Sequence, residues 1–354
     1  MKIIFIVPEI VISGGMRLIF EYAGRLTDRG HEVTLYTPMI PFNPYKGKTS
    51  FPFFKYAVKY FIRCLTGNSR AFENVFDKKF EIKYVPVIKN IFIPDADAII
   101  ATAWTTSYYV SNLKEAKGKK YYLIQDYEIW NSNEKYADES YTLKLNRIVI
   151  STYLKNLLKE KFGVDSTLVL NGINFNRFYN DNKVFHKPCR ILFMDHQLGN
   201  KNVECAVEIV TKLYKEFPEL IIRAFGAHKH HLMPDFVEFH ENLSDEDVRN
   251  LYCDSDIFIF PSKYEGFGGP PAEAMACKCA VVGNAVAALP EYSKHMESAI
   301  LCNPDNPDEI YRGILYLLNN GEELKRISLN GYEYVRKILD FERAVSEFEN
   351  ILMN

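Results

Sequence analysis

Residues 261–282 read PSKYEGFGGPPAEAMACKCAVV, from Pro261 to Val282. Two acids, Glu265 and Glu273, stand eight apart, with three glycines and two prolines between them. The run before, DIFIF (256–260), has the composition of a short buried strand. The loop therefore sits at a strand's carboxyl edge and feeds a helix opening around Pro271. Proline is favourable there because the N–H it lacks would be unpaired anyway. Glycine lets backbone N–H groups approach a ligand closely, and a helix N-terminus offers partial positive charge to an anion such as phosphate. The spacing puts Glu273 in the helix's first turn. A carboxylate there either satisfies free N–H groups or accepts hydrogen bonds from a ligand's paired hydroxyls. Cys277 and Cys279 fall in the same predicted helix, two apart, where side chains do not face each other.

The same strand–loop–helix order runs both ways from this stretch. CRILFM (189–194), ELIIRAFG (219–226), FVEFH (236–240), CAVVG (279–283) and AILCN (299–303) read as further strands. Helices are predicted over 203–217, 245–252 and 308–319. A tail helix over 341–352 lines up Phe341, Val345, Phe348 and Leu352. An earlier set starts at KIIFIV (2–7), a buried strand rather than a leader, since Pro8 and Glu9 interrupt it and no small-residue cleavage site follows. Ser13-Gly14-Gly15 then opens a helix with Leu18, Ile19, Tyr22, Ala23 and Leu26 on one face, Gly30 ends it, and EVTLY (32–36) is the next strand. DAIIA (97–101), KKYYLIQD (119–126) and RIVIS (147–151) follow as strands, with a helix over 153–161, and STLVLNGIN (166–174) as last strand and exit loop. The polar NDNKVFHK (180–187) is the linker candidate. These sets predict an α/β chain of two Rossmann-like domains facing a cleft. They span 1–180, with 340–354 packing back on it, and 188–339. FPFFKYAVKYFIRCL (51–65) fits either a packed helical insert or a surface shaped for a membrane or an acceptor.

The bulk numbers agree with a two-domain globular chain. It has 354 residues, 47% hydrophobic and 25% charged, with a net charge of −2. No basic stripe or motif favours nucleic acid. The seven cysteines are scattered, without zinc spacing, and read as reduced thiols of a cytoplasmic protein. No apolar run reaches the roughly 20 residues of a spanning helix. Asp95-x-Asp97 and Asp254-x-Asp256 flank predicted strand entries and read as turn residues. The cluster His228–His231 reads as a surface turn rather than a metal site.

The opening stretch resembles the E-x7-E signature of glycosyltransferase family 4, in the form EGFGxPPxEAMACG, with Lys278 where glycine is usual. DEDVRNLYCDSDIFIFPS (245–262) resembles the segment leading into that motif, LNGIN (170–174) the family's PNGID, LFMDHQLGNKN (192–202) its LFVGRLxxxKG, and ALPEY (288–292) the stretch after the next strand. The resemblance covers most of the chain and implies a GT-B fold without a dinucleotide cofactor. It implies retaining transfer from a nucleotide-diphosphate sugar to an acceptor hydroxyl. Glu265 would then orient the transferred sugar and Glu273 accept ribose hydroxyls. Lys201 would meet the diphosphate, with the backbone of Gly266, Phe267, Gly268 and Gly269, the Gly14–Gly15 turn, and Asn171 of LNGIN lining the donor site. His196 stands where the family has an arginine, and a neutral imidazole lacks that fixed charge and fork geometry. These donors imply that no metal is needed.

The N-terminal half, with SGGMRLIFEYAGRL, ATAWTTSYYV and YYLIQDYEIW, is similar to a bacterial subgroup that includes rhamnosyltransferases of surface polysaccharide and S-layer glycan assembly. That likeness puts Gln125 and Asp126 near the transferred sugar. It suggests deoxythymidine-diphosphate-rhamnose as donor, and as acceptor a growing, lipid-linked glycan at the inner membrane face. Two other readings stand beside it: a GT-B nucleotide-sugar epimerase, and a sugar-binding partner protein that has lost catalysis. A nicotinamide enzyme is disfavoured, because the loop after the first strand holds no G-x-G-x-x-G.

Overall fold

A computed structural model describes residues 1–11, 13–42, 55, 57–62, 79–128 and 134–354. The chain divides into two compact units, Met1–Val169 with Val345–Asn354, and Leu170–Ala344.

The first unit holds a seven-stranded sheet: β1 (Lys2–Ile6), β2 (Glu32–Pro38), β3 (Glu81–Val85), β4 (Ala98–Ala101), β5 (Lys119–Ile124), β6 (Asn146–Val149) and β7 (Thr167–Leu168). The order is β3-β2-β1-β4-β5-β6-β7, and every pairing is parallel. Its helices are α1 (Gly14–Asp28), α2 (Trp104–Ser111), α3 (Glu134–Tyr141) and α4 (Thr152–Phe162). All four residues of β4 are buried, as a parallel strand covered on both faces demands. Strand order reverses between β1 and β4, where Ile3 pairs with Ala98. Open α/β sheets bind ligands at the strands' carboxyl ends at such a reversal. Helix α1 starts beside it, with Ser13 capping through Oγ, which accepts from the Met16 N–H at 3.2 Å.

The second unit repeats the plan with β8 (Arg190–Met194), β9 (Ile221–Gly226), β10 (Val237–Glu241), β11 (Ile257–Phe260), β12 (Ala280–Asn284) and β13 (Ile300–Cys302). The order is β10-β9-β8-β11-β12-β13, again all parallel, with the reversal between β8 and β11. The helices are α5 (Val203–Glu216), α6 (Asp245–Cys253), α7 (Gly269–Ala276), α8 (Leu289–Tyr292), α9 (Pro307–Asn319), α10 (Gly321–Ile338) and α11 (Phe341–Met353). The apolar faces of α5 and α9 meet the sheet in one cluster that includes Ile191, Val210, Leu213, Ile257, Ile310 and Ile314. Each such aliphatic side chain contributes about 1.5–3 kcal/mol on burial. From Val345 onward, α11 belongs to the first unit. There Phe348 stacks on Phe5 at 6.2 Å and meets Tyr22 at 4.7 Å, and Glu349 takes Arg29 at 2.7 Å and His31 at 2.6 Å.

Three expectations change. The stretch 180–187 lies inside the second unit: Asn180 and Lys183 donate to carbonyls of Cys253, and His186 reaches Asp256. Asn180, Lys183 and His186 of this polar stretch are used in packing, where composition alone reads solvent exposure. The final strand is only Thr167–Leu168, and 170–174 instead pairs with the tail, Ile173 bridging to Asp340. A Cβ on Gly172 would lie 2.2 Å from Phe341 Cα, so only glycine fits that close approach. Third, Cys277 and Cys279 do not share a helix, because α7 ends at Ala276, Cys277 caps it, and Lys278 turns the chain at φ +60°. That left-handed turn is the physical reason glycine suits position 278.

Candidate functional site

Two loops flank the β8/β11 reversal. The first runs from Asp195 to Asn202. A short 3-10 turn, Gly199–Lys201, carries Lys201, and Asn202 at φ +54° redirects the chain into α5. The second is the Gly/Pro-rich loop after β11. Lys201 Nζ lies 2.9 Å from Glu265 Oε1, and the same oxygen accepts from Ser262 Oγ at 2.6 Å. Glu265 is 5% exposed, so this carboxylate is held away from water by its partners. A buried charge is tolerated only when paired and hydrogen-bonded.

Side chains that sequence reasoning did not single out brace the loop by its carbonyls. Asn284 Nδ2 donates to Pro261 O at 2.9 Å and Ser262 O at 3.0 Å. Asn202 also donates to Pro261 O, Asn200 to Tyr264 O, and the Tyr292 hydroxyl to Gly268 O at 2.7 Å. These bonds fix the path of the loop backbone through its carbonyls. Gly269, Pro270 and Pro271 are the first three residues of α7, so of those three only Gly269 has an N–H to offer. Gly268 precedes them at φ +84°, and Phe267 is buried with its ring 5.7 Å from Tyr292. Gly268→Ala is expected to cost about 1–2 kcal/mol, the penalty of the left-handed region for a residue with a Cβ. Urea unfolding measures it, and an unchanged midpoint would show that the loop relaxes freely.

Glu273 is not in the first turn of α7. The helix opens at Gly269, two residues before Pro271, which leaves no acid there. Glu273 Oε2 accepts from the fully buried Tyr252 hydroxyl at 3.3 Å. Burial, then the Glu273 charge, push that phenol well above its ordinary pKa.

His196 is exposed, and its Nδ1 accepts from the Leu198 N–H at 3.1 Å, which leaves the proton of the neutral ring on Nε2. Partial desolvation, then the Lys201 ammonium, hold its pKa below the usual imidazole value. It offers one hydrogen-bond donor and no fixed charge at neutral pH. Asp195, which sequence reasoning missed, is buried. One carboxylate oxygen accepts from the His230 N–H at 2.7 Å, tying the loop after β9 to the loop after β8. Burial raises its pKa.

In the first unit the structure brings Gly15 to Gln125, whose Oε1 lies 3.2 Å from where a Cβ on Gly15 would stand. Gly14 is the first residue of α1. Asp126 Oδ1 accepts from the Tyr127 N–H at 2.8 Å, and its carbonyl from the Tyr141 hydroxyl at 3.3 Å. Asn171 belongs to the second unit, is 5% exposed, and its side-chain oxygen has no hydrogen-bond partner among the described residues. The Asp-x-Asp pairs serve the fold. Asp95 pairs with Lys117, Asp97 accepts from the Lys2 N–H, Asp254 pairs with Arg190 and Arg223, and Asp256 accepts from the Arg190 N–H. Among the described residues, no three His, Cys, Asp or Glu side chains gather as a metal site.

Comparison with known proteins agrees with this geometry. Residues 175–334 match the family Glycosyl transferases group 1. An uncharacterized glycosyltransferase of Methanocaldococcus jannaschii is 26% identical over 202 residues, 54% of each chain. An MMP alpha-(1->4)-mannosyltransferase of Mycolicibacterium hassiacum is 31% identical over 156 residues, 43% of this chain and 36% of that one. The chain thus spans about half, or less, of the length of these two relatives. The crystal structure of Anabaena HepE in complex with UDP and glucose shares the fold over 100% of both chains, with a TM-score of 0.75 at 14% identity. With the two acids of E-x7-E flanking the loop at a sheet reversal, the chain is similar to the glycosyl transferases group 1 family over residues 175–334 and shares the GT-B architecture.

Proposed function

We propose that the chain is a retaining glycosyltransferase that moves a hexose from a nucleotide-diphosphate donor to a hydroxyl of a growing bacterial glycan. The observation that carries this reading is the Lys201–Glu265–Ser262 cluster at the β8/β11 reversal. The leaving group is a diphosphate, so positive charge must meet negative charge as it develops. Lys201 supplies that charge, with N–H groups of Gly266, Phe267, Gly268 and Gly269. His196 Nε2–H adds a single hydrogen bond where an arginine would add a fork. Glu265 orients the sugar, Glu273 accepts from the ribose, and Gln125 and Asp126, with the Gly14–Gly15 turn, belong to the sugar and acceptor side. No metal or cofactor is needed in this scheme.

Two donor classes head the list: the rhamnose donor suggested by the N-terminal likeness, and a mannose donor, by analogy with the mannosyltransferase relative. A glycan on a lipid carrier is the proposed acceptor, met at the inner face of the membrane. Among the described residues of 51–65, Tyr60 is buried with its hydroxyl 3.4 Å from Thr37 Oγ1, while Val58, Phe61 and Ile62 are exposed, which fits a peripheral contact. The rest of that stretch lies outside the described residues. No helix among them is long and apolar enough to cross a membrane.

Calorimetry with deoxythymidine, uridine, guanosine and adenosine diphosphates, then their sugars, with and without chelator, tests the reading. Tight binding of one diphosphate, unchanged by chelator, is expected. Binding of none overturns the donor site and leaves the sugar-binding partner. Free nucleotide diphosphate detected only when an acceptor is present excludes the epimerase.

A further inference from the structure

Helix α6 ends at Cys253, and Cys277 caps α7. One amide nitrogen, Asn180 Nδ2, donates to both residues' carbonyls, at 3.3 Å to Cys253 O and 3.1 Å to Cys277 O. The shared amide brings the two residues' carbonyls together, and each thiol perturbs the titration of the other. Cys253 also lines an open cavity of about 260 Å³ with Asn180, Asn182, His186, Asn250 and Asp254, and its Sγ lies 3.2 Å from Tyr179 O. Cys277 is fully buried behind it. We infer that Cys253 and Cys277 form an oxidation-sensitive pair, in which a peroxide entering from the cavity converts the two thiols to a disulfide between the ends of α6 and α7.

The electrostatics assign the roles. The hydrogen bond from Cys277 pulls the Cys253 thiol below its ordinary pKa against desolvation, with help from Arg249 and Lys183, while Asp181 opposes. The same bond and burial push Cys277 up. Thiolate character and access together select the thiol that a peroxide meets first. Cys253 attacks one peroxide oxygen, giving a sulfenic acid and one water. Cys277 sulfur then displaces the sulfenic oxygen, which leaves with the thiol proton as a second water. Two electrons pass from the sulfurs to the peroxide. Cys279 is fully buried and does not line the cavity, and its thiol donates to Tyr252 O at 2.9 Å and Ser255 O at 3.2 Å. Burial raises the thiol pKa of Cys189, Cys205 and Cys302.

A consequence follows that rests on the donor-site reading. Helix α7 carries Glu273, and its partner Tyr252 immediately precedes Cys253. A covalent tie between the helix ends shifts that pair and couples nucleotide affinity to oxidation.

Mass spectrometry of the full chain after a few-fold excess of hydrogen peroxide tests the pair. Trypsin cuts after Arg249, Lys263 and Lys278, so the expected product is residues 250–263 joined to 264–278, with Cys279 on a separate peptide. Cys253→Ser should abolish the link, and Cys277→Ser should leave a sulfenic acid on Cys253 that dimedone traps. Wild-type protein with Cys253 carried to a sulfinic acid unlinked, or with the link formed elsewhere, overturns the pairing and needs no variant. Calorimetry before and after oxidation should show at least a threefold change in diphosphate affinity, reversed by dithiothreitol. A link without that change overturns the coupling alone. If reduced protein binds no diphosphate, the donor reading fails while the peptide map still decides the pair.

Discussion

Lys201→Ala is expected to lower kcat by about 10²–10³-fold, the range seen when one preorganised donor to a developing negative charge is removed. Two effects overlap in this variant and are separable. Lys201 and Glu265 are 17% and 6% exposed in their side chains and 2.9 Å apart. Truncating one partner of such a buried pair leaves an uncompensated carboxylate and costs about 3–5 kcal/mol of stability. The unfolding midpoint should therefore fall. The kinetic loss is a separate matter, and assays well below that midpoint, on folded protein, isolate it. Lys201→Arg keeps the charge on a different geometry and should recover part of the rate and most of the stability. A variant Lys201→Ala with lowered midpoint but wild-type kcat would remove Lys201 from the diphosphate site and leave it as a clamp on Glu265.

The fold was legible where strands are buried on both faces. KIIFI, AIIA, IFIF and AVVGN are near-continuous apolar runs because parallel strands have no solvent face, so their pattern needs no tertiary knowledge. Strand β3 was not legible. It sits at the sheet edge, where exposed Glu81 and Lys83 alternate with Ile82 and Tyr84, and so short an alternation does not stand out within the less regular stretch around it. The tail helix was found from its own period, whereas its contacts with Phe5 and Tyr22 lie more than 300 residues back along the chain. Within the site, the E-x7-E spacing located both acids, since the residues between them are local. What those acids touch was not readable. Glu265 meets a lysine 64 residues earlier, and Glu273 meets a tyrosine in the preceding helix. The helix start two residues before Pro271 places Glu273 beyond the first turn. The Asn braces of the loop were missed for the same reason: an asparagine that holds a carbonyl has no sequence signature beyond being polar.

Glu273→Ala is expected to weaken diphosphate affinity by about 10–100-fold, the worth of one hydrogen-bonded acceptor of charged type, about 1.5–3 kcal/mol. The geometry makes this more than loss of a contact. Glu273 is held by the Tyr252 hydroxyl, and Tyr252 is buried among Phe178, Phe225 and Phe258. Removing the carboxylate leaves that phenol without its acceptor, so part of any loss comes from a rearranged Tyr252. Tyr252→Phe separates the parts, because it frees Glu273 of its partner while keeping the carboxylate. That variant should bind within about threefold of wild type if the ribose is what Glu273 serves. A nucleotide lacking the ribose 3′-hydroxyl closes the cycle. Wild-type protein should prefer the intact ribose, and Glu273→Ala should not discriminate. Equal discrimination in both proteins would place the ribose elsewhere and leave Glu273 as the acceptor for Tyr252 alone, an internal strut of α7.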